Sequence, residues 1–316
     1  MKKEPQVIVA VRSVLLLSVV LLGLQLSSNA QVKSFLVDLD ATSEDYSVHH
    51  FKLATNSLYG TDDTIQLFNV VPKYKLGPRE QEVDAQKRTR FLFLFSVMPT
   101  FDSSEDWVVF DRFPSHIDIL TFNKLFDIAG KSISITNTPR VPEQYGILLK
   151  KKDRYYQSKS SFLQTFYIKD YPKEFNVPAN VIDINQDLLP LIDMKRLYEE
   201  VYHLGDFPII PDYHSKHFDN RALERFYLSK KEKVGGSDAY QFWTFRPKAE
   251  VSHGESWENG IERFLYTPDR GIIGGSFDFY FEKNFDTDHR KRRTINMKVF
   301  KDNILHEKIM VAEGLR

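Results

Sequence analysis

Short apolar runs separated by turn residues dominate the chain, and the clearest of them lie within 261–282. In the last six residues of this segment, 277–282, every second residue is phenylalanine, which is typical of a half-buried strand. A Thr-Pro-Asp-Arg-Gly turn separates the beginning of the segment from 271–282, and this turn chemistry predicts a β-hairpin. Gly274 and Gly275 in the second strand indicate a bulge or the close approach of another backbone segment.

The other predicted strands rest on similar patterns. The run at 90–98 is apolar on both faces, as expected for a central strand that is covered on both sides. A short apolar segment at 107–110 is predicted to be its partner. Further strands are predicted at 33–40, 65–71, 146–150, 161–168, 240–245, 294–300 and 304–311.

Three segments have the apolar spacing or the capping residues of helices. Residues 115–129 repeat large apolar side chains at helical intervals between a serine and a glycine. Residues 191–203 place Leu191, Met194, Tyr198 and Val201 on one face. A third, shorter helix is predicted at 220–228.

Groups of strands joined by hairpins, with helices between the groups, predict an α+β fold rather than a doubly wound parallel sheet. The expected architecture is mainly antiparallel β-sheet, sandwich-like or curved, with two or three inserted helices. Residues 31–316 are predicted to form a single globular β-rich domain. A subdivision is conceivable near 171–190, which is rich in Pro, Asn and Asp.

The first thirty residues have the three parts of a secretory signal peptide. A basic start with Lys2, Lys3 and Arg12 precedes an apolar run at 14–24, and small residues follow up to Ala30. We therefore expect cleavage after Ala30, no membrane span in the mature protein, and a secreted or periplasmic location. An uncleaved membrane anchor is the alternative, but the apolar run is shorter than the roughly 20 residues that a span needs.

Composition narrows the function classes further. The chain has no cysteine, which excludes disulfides, thiol nucleophiles and cysteine-ligated zinc, and this fits a bacterial envelope or exterior. Basic and acidic residues are balanced at 43 each, so overall charge gives no reason to expect a nucleic-acid partner. The 25 phenylalanines and 15 tyrosines are enough to build a sizeable core.

One loop, at 203–219, concentrates side chains that can bind metal ions. Nitrogen and oxygen ligands at this density could hold a divalent metal ion such as Zn²⁺, although their spacing matches no established template. Solvated side chains and helix capping are the alternative interpretation. The candidates are His203, Asp206, Asp212, His214, His217 and Asp219.

Two short motifs resemble parts of known catalytic sites. Asp38-Leu39-Asp40-Ala41-Thr42 after an apolar strand resembles the first motif of the haloacid-dehalogenase superfamily, which implies Asp38 as nucleophile and Asp40 as general acid and base with Mg²⁺. The strand–helix alternation of that fold is missing, so the pattern favours a strand that ends in a solvated turn. His306-Glu307 begins a zinc-protease motif, but Met310 stands in place of the second histidine.

Aromatic residues near carboxylates in the C-terminal part could form a carbohydrate-binding platform, although aromatic residues in strands are more often core. The candidates are Tyr240, Trp243, Trp257 and Tyr266. We therefore expect a ligand-binding, partner-binding or structural protein of the bacterial envelope or exterior, without a cofactor. Its partner would be a carbohydrate or an envelope protein. The alternative is a secreted or periplasmic hydrolase that uses a metal ion in the loop at 203–219.

The signal peptide gives a first testable prediction. Because the small residues before position 31 fit a signal-peptidase site, the protein recovered from its native host should begin at Gln31. Mass spectrometry of the intact protein and of its N-terminal peptide measures this directly. An N-terminal peptide that still contains Met1 would contradict cleavage.

Overall fold

The structure is a computed structural model. It describes residues 34–39, 46–72, 90–100, 105–111, 117–121, 144–169, 181–202, 207, 225–244, 260–287 and 296–315. Within these ranges the strands are β1 Ser34–Asp38, β2 Tyr46–Ala54, β3 Thr64–Pro72, β4 Arg90–Val97, β5 Trp107–Val109, β6 Ile117–Leu120, β7 Gln144–Lys151, β8 Arg154–Ser158, β9 Ser161–Lys169, β10 Val181–Asp183, β11 Tyr227–Val234, β12 Ser237–Trp243, β13 Arg263–Thr267, β14 Gly271–Ser276 and β15 Met310–Val311. The helices are α1 Asn56–Tyr59, α2 Leu191–Tyr202, α3 Asp278–Thr287 and α4 Met297–Leu305.

The strands form three five-stranded sheets. Sheet A has the order β5-β8-β7-β1-β6, sheet B the order β10-β9-β4-β3-β2, and sheet C the order β11-β12-β13-β14-β15. Strand β1 is parallel to β6 and β7, and β10 is parallel to β9, whereas the other described pairs are antiparallel. The predicted α+β fold, mainly antiparallel with few helices, is confirmed.

Sheet B lies between the other two sheets, because its strands bury apolar side chains on both faces. Along β4, Leu92 and Leu94 join a core that includes Phe242 and Phe264 of sheet C. Phe93 and Phe95 point the other way and join a core that also contains residues of sheet A. Strand β4 is therefore the covered central strand that its doubly apolar sequence predicts.

Two buried amide side chains connect sheet B to sheet C. Asn69 on β3 donates to the carbonyl of Ile272 at 2.8 Å and accepts from its N–H at 2.7 Å. Gln164 on β9 accepts from the N–H of Ile261 at 2.8 Å. Hydrogen bonds of this kind satisfy backbone groups that a purely apolar interface would leave unpaired.

The hairpin predicted from its turn chemistry is confirmed as β13 and β14, which pair from Arg263 opposite Ser276 to Thr267 opposite Gly271. The register shifts between Leu265 and Tyr266, as expected for a bulge. A side chain at Gly274 would come within 2.4 Å of a backbone oxygen of β15, so the absence of a Cβ allows this close approach.

The strand predicted at 277–282 is wrong, because these residues begin helix α3. Phe277 and Phe281 are both buried, and their spacing of four places them on one face of the helix. Six residues with three phenylalanines satisfy the strand period and the helix period equally well. The contacts of the first helical turn, described below, decide between them.

Several other predicted elements need correction. Residues 297–305 form α4 rather than two strands joined by a turn, and Asn296 caps it by accepting from the N–H groups of Lys298 and Val299. Residues 117–120, predicted to be helical, form β6 beside β1. Strand β5 pairs with β8 in sheet A and not with β4, and residues 227–228, predicted to be helical, begin β11.

The helix at 191–203 is confirmed as α2, with Leu191 and Tyr198 buried, but Val201 is exposed and does not belong to its packed face. Strands β2 and β8 were not predicted, because their alternation is interrupted by charged and polar residues. Among the described residues, no helix is long and apolar enough to cross a membrane.

The position of Leu94 between sheets B and C generates a prediction about stability. Replacing this fully buried side chain in Leu94→Ala should lower the free energy of unfolding by about 2–5 kcal/mol, because the cavity cannot collapse in the middle of a sheet. Urea denaturation measures the change. The matched control is Leu197→Ala on the exposed side of α2, which should change stability by less than about 0.5 kcal/mol. Equal losses in the two variants would contradict the layered packing.

Candidate functional site

A buried polar cluster joins sheet C to helices α1 and α3. The guanidinium group of Arg263 on β13 makes a bidentate ion pair with Asp278, the first residue of α3, and both side chains are nearly inaccessible to water. Tyr59 on α1 donates to the same carboxylate at 2.9 Å and accepts from the N–H of Phe277 at 2.7 Å. Burial and the neighbouring charge of Asp278 raise the pKa of the Tyr59 phenol well above its ordinary value.

Glu262, next to Arg263, caps helix α3 from outside the helix. Its carboxylate accepts from the N–H groups of Asp278 at 2.9 Å and Phe279 at 3.0 Å, which are unpaired donors in the first turn. Loss of hydration and the negative charge of Asp278 nevertheless raise the pKa of Glu262 to about 8. Glu262 as a whole is half-buried, but its carboxylate lies beneath the N-terminus of α3.

Glu307 has the equivalent role at helix α2. It follows α4 in a turn with φ of +51°, a conformation that side chains rarely adopt, and its carboxylate accepts from the N–H of Leu191 at 2.5 Å. Burial raises its pKa, although hydrogen bonds from Ser229 and the Leu191 N–H act in the opposite direction. Gln241 on β12 donates to the backbone carbonyl of Glu307 at 2.8 Å.

Several hydrogen bonds hold the turn at 306–308 in place. Besides the bond from Gln241, the Nε of Arg263 donates to the carbonyl of Lys308 at 3.2 Å, and the N–H of Lys308 donates to the carbonyl of Asn303 at 2.9 Å. The backbone of this turn is therefore positioned by the protein alone, and the side chains of His306 and Lys308 are left at the surface.

Beside this turn lies a pocket of about 620 Å³, on the side of sheet C that faces away from sheet B. A volume of this size is within the range of small-molecule sites. Its lining combines charged and polar groups with aliphatic ones. The lining residues are Ser57, Leu58, Lys230, Glu232, Lys233, Val234, Gly235, Gln241, His306, Glu307, Lys308, Ile309, Val311 and Leu315.

The metal-binding candidates lie outside the described residues. This applies to His203, Asp206, Asp212, His214, His217 and Asp219, so the metal site stays a prediction. Of the surrounding loop only Phe207 is described, and it packs in a core cluster with Leu191 and Tyr198. In the described part of the chain, no group of three or more His, Asp or Glu side chains could hold a metal ion.

The aromatic candidates have separate environments. Trp243 is buried, stacks on Tyr227 and donates its indole N–H to the carbonyl of Leu189 at 2.7 Å. Tyr266 is also buried, in the core between sheets B and C, and Tyr240 is half-buried against that core. Trp257 lies outside the described residues. The rings of Trp243 and Tyr266 are thus engaged in internal packing.

Asp38 ends β1, where it is half-buried and lies opposite Leu148 of the parallel strand β7. Asp40, the second carboxylate of the haloacid-dehalogenase motif, lies outside the described residues. His306 and Glu307 begin the zinc-protease motif. His306 caps the end of α4, and the carboxylate of Glu307 accepts from the first N–H of α2. Neither residue lies one helical turn from a second ligand.

Sequence reasoning missed the pocket and the buried charges. One available signal was the pattern of Asn296, Phe300 and Ile304, a capping residue followed by apolar side chains at helical spacing, which would have predicted α4. Arg263 and Glu262 carried a weaker signal, because charged residues between Ile261 and Phe264 interrupt an otherwise apolar strand. Their partners are distant in sequence and could not be identified.

The raised pKa of Glu262 predicts a pH-dependent stability. Between about pH 4.5 and 8 the folded protein holds a proton on Glu262 that the unfolded chain releases, so the free energy of unfolding should fall as the pH rises through this interval. One proton contributes at most about 1.4 kcal/mol per pH unit. Glu262→Gln, which resembles the protonated form, should reduce this slope in urea denaturation series between pH 6 and 8.5.

The control is Glu200→Gln at an exposed position of α2, which should leave the slope of the parent protein unchanged. Asp278, Arg263 and Tyr59 face Glu262 and remain in all three proteins, so the comparison isolates one carboxyl group. Parallel curves for the parent protein and Glu262→Gln would show that Glu262 is ionised in the folded state at neutral pH.

Compared with known proteins, the chain matches no family model, no curated protein and no solved structure.

Proposed function

We propose that this chain is an exported ligand-binding protein of the bacterial envelope or exterior, and that the pocket beside residues 306–308 is its binding site. The pocket itself is the observation that supports this function most directly. It is concave, has the volume of a small-molecule site, and combines aliphatic walls with a few charged and amide groups. The signal-peptide pattern and the absence of cysteine support the location.

The construction of the pocket also favours binding. One wall is the strand pair β11 and β12, whose side chains are positioned by the sheet. The opposite wall is the turn at 306–308, whose carbonyls accept hydrogen bonds from Gln241 and Arg263. Because these hydrogen bonds are made between groups of the protein, little ordering free energy would be lost when a ligand binds.

A blocked pocket tests the proposal. Ser57 is exposed on α1 and lines the pocket, so the indole of Ser57→Trp should occupy the pocket without disturbing the core. A panel of neutral, cationic and anionic small organic molecules, screened by saturation-transfer NMR against the purified protein, should contain ligands that bind the parent protein and lose binding in Ser57→Trp.

Asn56→Trp is the matched control, because Asn56 is exposed on the same short helix but does not line the pocket. It should retain binding of the same ligands. Thermal unfolding of both variants should resemble that of the parent protein, which shows that each variant is folded. A panel without ligands, or ligands that bind Ser57→Trp as well as the parent protein, would refute the pocket as the binding site.

A further inference from the structure

The pocket changes from polar to apolar along strand β11. Lys230, Glu232 and Val234 lie opposite Gln241, Ala239 and Ser237 of β12, and residues directly opposite one another point to the same face of a sheet. Lys230, Glu232 and Val234 therefore line the pocket in this order. At about 3.3 Å per residue, the lysine and the valine are about 13 Å apart.

The polar end carries both cationic side chains and the carboxylates of Glu232 and Glu307. Lys230 lies there together with His306 and Lys308 of the facing turn, and all three side chains are largely exposed. Lys230 pairs with Glu232 at 2.6 Å, and Lys308 is 3.0 Å from the side-chain oxygen of Asn303 and 3.5 Å from Asp302. Ion pairs at such exposed positions are weak, so these lysines can exchange a protein oxygen for an oxygen of a ligand.

The carboxylates of the pocket are less exposed than its lysines: the Glu232 side chain is 29% exposed and Glu307 is buried, whereas the Lys230 and Lys308 side chains are 57% and 53% exposed. The carboxylate of Glu307 accepts from the N–H of Leu191, and that of Glu232 pairs with Lys230. A cationic ligand at this end would meet the more exposed lysines before it reached either carboxylate. An anionic group would meet lysine ammonium groups and the neighbouring imidazole instead.

Aliphatic side chains predominate at the other end of the pocket, where Lys233 also lines it and pairs with Asp238. Val234, Ile309, Val311 and Leu315 are half-buried, and they pack against a core cluster formed by Ala239, Leu265 and Ile273. Each of these four side chains keeps part of its apolar surface accessible. Covering such surface contributes about 25 cal/mol per Å², which favours a ligand with a hydrocarbon portion.

We propose that the pocket binds a small amphipathic anion, with its anionic head beside Lys230, His306 and Lys308 and its hydrocarbon portion against Val234, Val311 and Leu315. This inference rests on the proposed function and specifies the chemical class of its ligand. A carboxylate on an aliphatic chain is the simplest molecule of this class. The separation of about 13 Å between the ends of the strand segment suits an extended chain rather than a compact ion.

Isothermal titration of the purified protein with decanoate, decanol and decylammonium tests the proposal. The three molecules have the same chain and differ in the charge of the head group. Decanoate should bind at least about tenfold more tightly than either of the others, which corresponds to about 1.4 kcal/mol. Equal affinity for decanol, or a preference for decylammonium, would overturn the inference.

Substitutions test which side chains contact the anionic head of the ligand and which contact its hydrocarbon portion. Lys230→Gln and Lys308→Gln should each weaken decanoate binding several-fold without affecting decanol, because they remove charge and leave the apolar wall intact. The matched control is Lys231→Gln, whose side chain lies on the opposite face of β11 over the ring of Tyr240 and should not affect decanoate. Val234→Thr keeps the side-chain shape and should weaken decanoate and decanol alike. Decanoate affinity that is the same in all four variants would overturn the inference.

The outcomes distinguish this inference from the function on which it rests. If decanoate does not bind but another ligand binds the parent protein and loses binding in Ser57→Trp, the pocket is a binding site for a different class of ligand. If neither decanoate nor any member of the panel binds, both proposals fail.

Discussion

The ion pair between Arg263 and Asp278 is the interaction on which the C-terminal half of the structure depends. Both groups are removed from water, and an isolated buried charge of either sign would cost several kcal/mol. The pair therefore requires α3 to begin where Asp278 reaches β13. Tyr59 binds the same carboxylate and, because α1 follows directly after β2, carries the constraint from sheet C into sheet B. This buried ion pair, together with Tyr59, thus fixes the relative positions of the β13–β14 hairpin, helices α1 and α3, and sheet B.

The need to pair buried polar groups also explains the two glutamates that cap helices to which they do not belong. The first N–H groups of α3 and α2 have no partners within their own helices, and they are met by Glu262 and Glu307. Glu307 can reach α2 only because its backbone takes a left-handed conformation after α4, and Gln241 and Arg263 hold the carbonyls of that turn. These hydrogen bonds consequently hold the turn at 306–308 rigidly beside the pocket, and the side chain of Lys308 extends from this turn.

The sequence predicted those parts of the fold whose signals are local. Strand β4 is apolar at consecutive positions, and the hairpin of β13 and β14 carries its own turn residues, so neither needed information from elsewhere in the chain. Residues 277–282 were misassigned because Phe277 and Phe281 fit a strand or a helix, and the cap that decides the matter is Glu262, across the hairpin. The pocket could not be predicted, because its walls come from β11, the turn after α4 and the chain end, which meet only in the folded protein.

The layered packing explains why the candidate site lies on the outer face of sheet C. Both faces of sheet B and the inner face of sheet C are occupied by aliphatic and aromatic side chains, where any polar group must find a partner, as Asn69 does. On the outer face, α2 and α4 cover Trp243, and among the described residues the segment after α4 crosses β12 further along the sheet. Because that segment is narrow, it leaves Lys230 and Val234 accessible at its side. In the part of the chain that the structure describes, the pocket therefore lies where this narrow segment meets the outer face of sheet C.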